Sequence, residues 1–329
     1  MISRCILLLA FGLATLSGVA PSWAQSAKPW HIGFLYYGSR QSVMKTGRYA
    51  AFVDGMRDLG YVEGRDYVID ARFSEGNVER LPALAAELAK LKPEVILVTS
   101  NVAADAARRV ARGVPIVTTI IGDPIASGAA TTLARPGGDI TGLYTSNDEL
   151  VPKHLELLQL AVPKLMRVAV LSNSSNALHP ARLRSAQAYA QKAGLKILPV
   201  SAVNEEEIAR AFESMVRLKA DGVLILGDTF FVQEAPLMAK LALKWRLPSI
   251  FGTTDFIEVG GLMSYSENLT DNFRLAAGYV DKILKGAKPG ELPFERPSRV
   301  YLMINLRTAT TLGLKLPQEL LLRADKVIE

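Results

Sequence analysis

Cysteine is nearly absent from this sequence. Only one of its 329 residues is a cysteine, Cys5, and it lies close to the amino terminus. The rest of the chain therefore cannot form a disulfide, bind a metal through thiolates or use a cysteine nucleophile. Histidine is scarce as well: His31, His154 and His179 show neither metal-ligand spacing nor a paired nucleophile, so we expect structural or surface roles for them. We expect no metal and no cofactor.

Long hydrophobic runs are missing everywhere except at the amino terminus. There, Arg4 precedes an apolar run over residues 5–19, and the small residues Ser22 and Ala24 follow it. This pattern predicts a secretory signal over residues 1–24, with a mature chain that begins at Gln25 and lies in the periplasm. An uncleaved anchor is the alternative, but the run is shorter than the roughly 20 residues of a membrane span. After cleavage we expect no membrane insertion.

Neither a strong charge nor the motifs of common enzyme classes are present. Lys and Arg number 38 against 32 Asp and Glu, and no run of basic residues suggests a nucleic-acid partner. The sequence has no G-x-G-x-x-G after a strand, no P-loop, no G-x-S-x-G and no H-E-x-x-H. We therefore expect a binding protein and not an enzyme. Chemistry that uses carboxylates alone leaves no motif, so an exported enzyme on a doubly wound fold is the alternative.

The sequence does contain a regular alternation of strand-like and helix-like segments, and this pattern occurs twice along the chain. Continuous apolar strands separated by helices predict parallel sheets covered on both faces. The segment "VILVTSN" at 95–101 is matched by "VLILGDT" at 223–229, and two further pairs of segments match in the same order. The sequence therefore predicts an α/β protein with two Rossmann-like, doubly wound lobes joined by a hinge of several strands.

Two junctions divide the chain between these lobes. A turn signal, "ARPGG", precedes the first junction, and the strand-like "GGLMSYS" precedes the second. We predict a first lobe of residues 30–145 plus 267–296, and a second lobe of residues 146–266 plus 297–329.

Small polar residues follow the predicted strands of both lobes. In parallel sheets, ligands bind beyond the carboxyl ends of the strands, so these residues are the candidate ligand-binding set. Each of them could instead be a helix cap, and the aromatic residues among them could belong to the core. The candidates are Tyr36, Tyr37, Ser39, Thr99, Ser100, Asn101, Asp123, Asn173, Asn176, Asp228, Phe231 and Thr254.

For an amino acid or a related zwitterion, the candidates suggest distinct roles. Its carboxylate would lie near Ser100 and Asn101, where a helix begins and exposes unpaired N–H groups. Its ammonium group would face Asp228, or failing that Asp123. Tyr36, Tyr37 or Phe231 would offer a ring to a planar side chain.

Several long segments resemble one known family. They include "GYVEGRDYVIDARFSEGNVERLPALAAEL", "GDPIASGAATTLARPGGDITGL" and "INLRTATTLGLKLPQELLLRADKVIE", and the likeness extends over residues 30–329. The sequence is similar to the tryptophan/tyrosine-type substrate-binding proteins of ABC transporters. The resemblance implies a type I periplasmic binding protein that closes on a small solute and delivers it to an ABC permease driven by an ATPase.

The same resemblance leaves the ligand open. The loop after the third strand, Thr99-Ser100-Asn101, departs from the family's pattern, as does Asp139 at a turn that usually ends in Asn. We expect a monomer that binds an amino-acid-like or planar molecule. A periplasmic subunit that senses its ligand and presents it to a receptor is the alternative to transport.

Overall fold

The computed structural model of this chain describes residues 28–145, 147–297 and 299–329. The predicted signal over residues 1–24 lies outside them. Among the described residues, no helix is both long and apolar enough to cross a membrane.

The first part of the chain forms a five-stranded sheet in which all neighbouring strands are parallel. The strand order is β2-β1-β3-β4-β5, and helices connect β1 to β2, β2 to β3 and β3 to β4. We call the part of the molecule built on this sheet the first lobe. Its elements are β1 (Trp30–Tyr36), α1 (Arg40–Lys45), α2 (Arg48–Asp58), β2 (Tyr67–Phe73), α3 (Leu81–Lys90), β3 (Val95–Val98), α4 (Asn101–Val110), β4 (Ile116–Ile121) and β5 (Ile140–Tyr144).

The sequence predicts a helix over residues 45–60, and in the structure this helix, α2, begins three residues later, at Arg48, after a break that separates it from α1. Gly47 takes a left-handed conformation with φ of 70°, which glycine adopts without steric cost, and it separates α1 from α2. Ser39 caps α1 by accepting a hydrogen bond from the Ser42 N–H at 3.0 Å. The break matters because it places Arg48 on the first turn of a new helix, close to the carboxyl end of β1.

The second part repeats the same arrangement. Its strands follow the order β7-β6-β8-β9-β10, which is the order of the first sheet, and we call the part built on them the second lobe. Its elements are α5 (Asn147–Ala161), β6 (Arg167–Ser172), α6 (His179–Ala193), β7 (Lys196–Ser201), α7 (Glu205–Arg217), β8 (Gly222–Ile225), α8 (Thr229–Gln233), α9 (Ala235–Lys244), β9 (Ser249–Phe251), α10 (Asp255–Glu258) and β10 (Met263–Glu267).

The chain then returns to the first lobe and comes back once more. The helix α11 (Leu269–Leu284) packs on α2, β4 and β5, whereas β11 (Val300–Asn305) pairs with β10. The remaining elements are α12 (Leu306–Leu312), α13 (Gln318–Leu322) and β12 (Lys326–Ile328), which pairs with β11. The passages between the sheets follow β5, follow β10 and precede β11. The residue boundaries of the lobes stay a prediction.

One pairing departs from the expected parallel sheets. β11 runs antiparallel to β10, with Glu267 opposite Val300. The reason is the path of the chain: β10 leaves the second lobe at the place where β11 enters it, so neighbouring strands must run in opposite directions.

Each sheet is buried on both faces. In β3, Val95 and Leu97 belong to one core cluster, while Ile96 and Val98 belong to the cluster on the opposite face. This explains the unbroken apolar strands in the sequence, because alternation disappears when helices cover both faces. Polar residues are left to the strand ends.

Candidate functional site

The two lobes contact each other at the carboxyl ends of their strands. Gly38 of the first lobe lies against the Gln233 side chain of the second, and Gly122 lies against Leu178. Neither glycine has room for a Cβ atom in this arrangement. The structure is therefore that of a closed cleft between two lobes.

An ion pair crosses this cleft. Arg48 on α2 donates a hydrogen bond from Nη2 to Oδ1 of Asp255 on α10, and the two side chains are only 6% and 13% exposed. Its Nη1 also lies 3.3 Å from the Tyr36 hydroxyl. Burial by itself lowers the pKa of Arg48, but the Asp255 carboxylate and Tyr36 more than offset it and raise that pKa above its usual value.

Among the buried polar atoms without a hydrogen-bond partner in the described chain, four belong to this ion pair and to two strand-end threonines. They are Thr99 Oγ1 and Arg48 Nε in the first lobe, and Thr253 Oγ1 and Asp255 Oδ2 in the second. Thr99 directly follows β3, Thr253 lies two residues beyond the end of β9, and both are less than 9% exposed. Because buried polar groups in proteins are nearly always paired, unpaired atoms on both sides of a closed cleft indicate where a bound molecule would be recognised.

The predicted anion Asp228 lies in a different situation, because its own lobe satisfies it. Its Oδ1 accepts hydrogen bonds from Asn173 Nδ2 at 3.1 Å and from the backbone N–H groups of Phe230 and Phe231. Its Oδ2 accepts one from Asn176 Nδ2 at 2.7 Å. The carboxylate thus caps α8 and organises the strand ends, and it does not stand open to a ligand's ammonium group.

His179 holds the same cluster of Asp228, Asn173 and Asn176 in place through hydrogen bonds to the backbone. Its Nδ1 accepts a hydrogen bond from the Asn173 N–H at 2.7 Å, so the proton lies on Nε2, which is 3.2 Å from the Gly227 carbonyl. Arg182 donates to that carbonyl as well, at 2.8 Å. The strand ends of β6 and β8 are therefore a cross-braced structural cluster.

Tyr37 lies at the interface with this cluster. It is buried, and its pKa is raised to about 12 by that burial and by the carboxylates of Asp228 and Glu234 across the cleft. The hydroxyl therefore stays protonated and available as a donor at neutral pH. Tyr36 is also buried, but its ring stacks on Phe34 with centroids 5.9 Å apart, so only its hydroxyl reaches the ion pair.

The remaining candidates of the first lobe act mainly as caps. Ser100 Oγ accepts a hydrogen bond from the Ala103 N–H, which makes it the N-cap of α4, and Asn101 Oδ1 accepts one from the Gly122 N–H. Ser39 caps α1. Asp123 is exposed and caps the following turn through the Ile125 and Ala126 N–H groups, so the structure does not bring it to the buried set.

Two candidates of the second lobe need separate comment. Thr254 is partly buried beside Thr253 and makes no capping hydrogen bond. The expectation that Phe231 offers its ring to a ligand does not fit this structure, because the side chain is fully buried in the core of the second lobe. The large apolar ring gains more from this core than from a polar strand end.

The candidate set from the sequence omits three residues of the buried set: Arg48, Thr253 and Asp255. The last two follow a predicted strand beside the candidate Thr254, so only Arg48 was not indicated at all. Arg48 lies on a helix, and the search for candidates covered only residues that follow the carboxyl ends of strands. A signal was present, since a basic residue in the first turn of a helix opposes the helix dipole and needs a compensating partner. Among the described residues, no group of three or more His, Cys, Asp or Glu is arranged to hold a metal ion.

Comparison with known proteins gives the same picture from another direction. A family model described as "ABC transporter substrate binding protein" matches residues 41–328. A tyrosine-binding protein of Clostridioides difficile (strain R20291) is 24% identical over 290 residues, which cover 88% of this chain and 83% of the relative.

Solved structures are similar over almost the whole chain. An ABC domain from Streptococcus pneumonia in complex with L-Trp is 26% identical, with a TM-score of 0.84, and the match covers 92% of this chain and 100% of the other. The ligand-free, open structure of the substrate-binding protein CD0873 from Clostridium difficile is 24% identical, with 91% and 99% covered, but its TM-score is 0.67. The family match spans most of the sequence, and the chain belongs to the ABC transporter substrate-binding proteins.

Proposed function

We propose that this chain is the periplasmic solute-binding component of an ABC uptake transporter, and that its solute is an amino acid with an aromatic or other planar side chain. The observation that carries the proposal is the set of buried, unpaired polar atoms contributed by both lobes to one closed cleft. The chain would act as a monomer without catalysis, release the solute to an ABC permease driven by its ATPase, and leave the solute unchanged.

Three further observations support the proposal. Thr99 and Thr253 place one hydroxyl each on opposite sides of the cleft, and Tyr37 adds a protonated phenol. Relatives of this chain bind tyrosine or hold L-Trp. The higher TM-score with the L-Trp complex than with the open, ligand-free relative agrees with a cleft that is shut in this structure.

The test is a binding measurement without turnover. Purified mature protein is heated with each of the standard amino acids, and its melting temperature is recorded. A true ligand at a hundredfold excess over Kd adds roughly 2.7 kcal/mol to the free energy of unfolding and so raises the melting temperature. Mass spectrometry of the released ligand should recover it unchanged. Failure of all amino acids to stabilise the protein, or conversion of the ligand to a product, contradicts the proposal.

Export is tested separately. The protein recovered from a periplasmic extract should begin at Gln25, which amino-terminal sequencing reads directly. Membrane-bound protein that keeps residues 1–24 would contradict the periplasmic location without affecting the ligand proposal.

A further inference from the structure

The ion pair between Arg48 and Asp255 leaves one hydrogen-bonding atom of each side chain without a partner. The Arg48 side chain is buried and that of Asp255 is 13% exposed, and the pair bridges the two lobes. Each partner keeps one buried atom without a hydrogen bond in the described chain: a donor, Arg48 Nε, and an acceptor, Asp255 Oδ2. Such an unpaired donor or acceptor on a buried charged group is destabilising, because no hydrogen bond compensates for its loss of contact with water. A donor and an acceptor of opposite charge therefore stand next to each other in a closed cleft.

The total charge of this pair restricts what can bind beside it. Arg48 and Asp255 together are neutral. A ligand with a net charge would add an uncompensated charge to a buried site, which is costly at low dielectric. A zwitterion adds one positive and one negative group and keeps the site neutral. It can also place its carboxylate on the guanidinium and its ammonium group on the carboxylate, so that charges of opposite sign alternate.

The other acidic groups near the cleft are less suitable. The four hydrogen bonds within the second lobe occupy the Asp228 carboxylate, and Asp123 is exposed. Glu267 is buried with Oε1 unpaired, but it lies at the passage between the lobes, 3.9 Å from Arg296, and burial raises its pKa. Of these groups, only Asp255 accepts a hydrogen bond from an arginine of the opposite lobe and keeps its second carboxylate oxygen unpaired.

We infer that Arg48 and Asp255 form the specificity-determining pair that reads the α-carboxylate and α-ammonium groups of an amino acid. This inference rests on the proposed function and deepens it. Two roles for the pair can be distinguished. An ion pair that only stabilises the closed state, which we call a latch, would favour closure on any ligand. An ion pair that contacts the charged groups of the ligand, which we call a reading pair, would distinguish ligands by those groups.

The experiment measures three probes against two variants by titration calorimetry. If L-tryptophan binds the wild type, the probes are L-tryptophan, tryptamine, which lacks the carboxylate, and indole-3-propionate, which lacks the ammonium group; for L-tyrosine they are tyramine and 3-(4-hydroxyphenyl)propionate. The variants are Asp255→Asn and Arg48→Gln. Two controls are matched to them. Arg274→Gln breaks an exposed ion pair with Asp58, and Leu178→Ala weakens an uncharged contact between the lobes.

If the pair contacts the charged groups of the ligand, the two variants should change the affinities for the amine and the acid in opposite directions. Asp255→Asn should weaken the amino acid and the amine by roughly 30-fold or more, and strengthen the acid, because its charge now balances Arg48. Arg48→Gln should weaken the amino acid and the acid, and strengthen the amine. Leu178→Ala should weaken all three probes by a similar factor, and Arg274→Gln should leave all three within about threefold of the wild type.

The inference is overturned if either charge variant weakens all three probes by one common factor, which is the behaviour of a latch, or if Glu267→Gln and not Asp255→Asn gives the selective loss of the amine. If a single variant does not fold, the double variant Arg48→Gln/Asp255→Asn leaves no unpaired charge and answers the same question. It should lose the preference of the wild type for the zwitterion over the amine and the acid, and a retained preference overturns the inference. Absence of amino-acid binding to the wild type is a different result, because it contradicts the proposed function itself.

Discussion

The two lobes have the same strand order and a similar set of polar residues at their strand ends, yet they use these residues differently. In the second lobe, Asp228, Asn173, Asn176 and His179 bond to one another and to nearby backbone. In the first lobe, Thr99 keeps an unpaired hydroxyl at the corresponding edge. The segments "VILVTSN" and "VLILGDT" thus hold equivalent places in the two sheets, but the first ends in a buried hydroxyl without a partner in the described chain and the second in side chains that bond to one another. Similar position in a repeated fold does not imply similar function.

The strongest test of this difference is to remove the carboxylate that closes the cluster. Asp228→Ala deletes four hydrogen bonds within the second lobe and should lower the free energy of unfolding by about 4 kcal/mol, at roughly 1 kcal/mol each. The affinity for the amino-acid ligand should change little in the protein that remains folded. Urea denaturation and calorimetry measure the two quantities.

Asp123→Ala is the matched control, since Asp123 caps an exposed turn in the first lobe. It should cost about 1 kcal/mol or less of unfolding free energy. If Asp228→Ala folds as stably as the wild type but no longer binds the ligand, Asp228 belongs to the binding site and the comparison of the lobes is wrong.

The lobes should also respond differently to acid. His154 and His179 are buried in the second lobe, whereas His31 of the first is partly exposed. Burial lowers the pKa of His154 to about 4; the hydrogen bond to the Tyr265 carbonyl raises it and Arg182 lowers it further. A histidine with a depressed pKa stabilises the fold above its ordinary value near 6.5, and this contribution is lost as the pH falls towards 4.

The expected loss over that range is on the order of 3 kcal/mol. Denaturation of the wild type at several pH values measures it, and hydrogen exchange should show the second lobe opening before the first. His154→Gln should flatten the dependence between these two pH values. An equally steep curve in this variant would assign the acid sensitivity to other groups.

Much of this architecture could be predicted from the sequence because it depends on local patterns. Buried parallel strands produce apolar runs, and the residues that cap helices, such as Ser100 and Asp228, follow those runs directly. The sequence could not show whether a polar group has found a partner. Asp228 and Thr99 are equivalent candidates in the sequence, but in the structure the Asp228 carboxylate accepts four hydrogen bonds and the Thr99 hydroxyl has no partner in the described chain.

The contacts between the lobes were beyond the sequence for a different reason. Arg48 meets Asp255 across 207 positions of the chain, and their meeting depends on how three passages orient two separately folded sheets. Gly47 adds to the difficulty, because its left-handed conformation changes the direction of the chain between α1 and α2, near the start of the predicted helix. Only the sterically permissive glycine marks that change of direction.

Closure of the two lobes can be tested without touching the polar atoms. Gly122→Ala inserts a methyl group where Leu178 of the opposite lobe lies. Overpacking at such a contact costs about 2 kcal/mol, and opening of the cleft relieves it. The cost should therefore appear as weaker ligand binding, with the melting temperature of the ligand-free protein unchanged.

The double variant Gly122→Ala/Leu178→Ala restores the space and should recover part of the affinity. A Gly122→Ala protein that melts early but binds normally would show that the glycine serves the first lobe alone and not the contact.

The smallest expected effects come from the unpaired hydroxyls, and they separate the lobes most finely. Thr99→Val and Thr253→Val keep the side-chain shape but remove one donor from each side of the cleft. Because neither hydroxyl has a partner in the described chain, its removal should leave the free energy of unfolding unchanged or slightly raised. If both hydroxyls bond to the ligand, each variant should lose about 1 kcal/mol of binding free energy in calorimetry. The two hydroxyls belong to different lobes, so their effects should add in the double variant if each bonds to a different group of the ligand. A loss on Thr99→Val with none on Thr253→Val would mean that the first lobe holds the ligand and the second lobe only covers it.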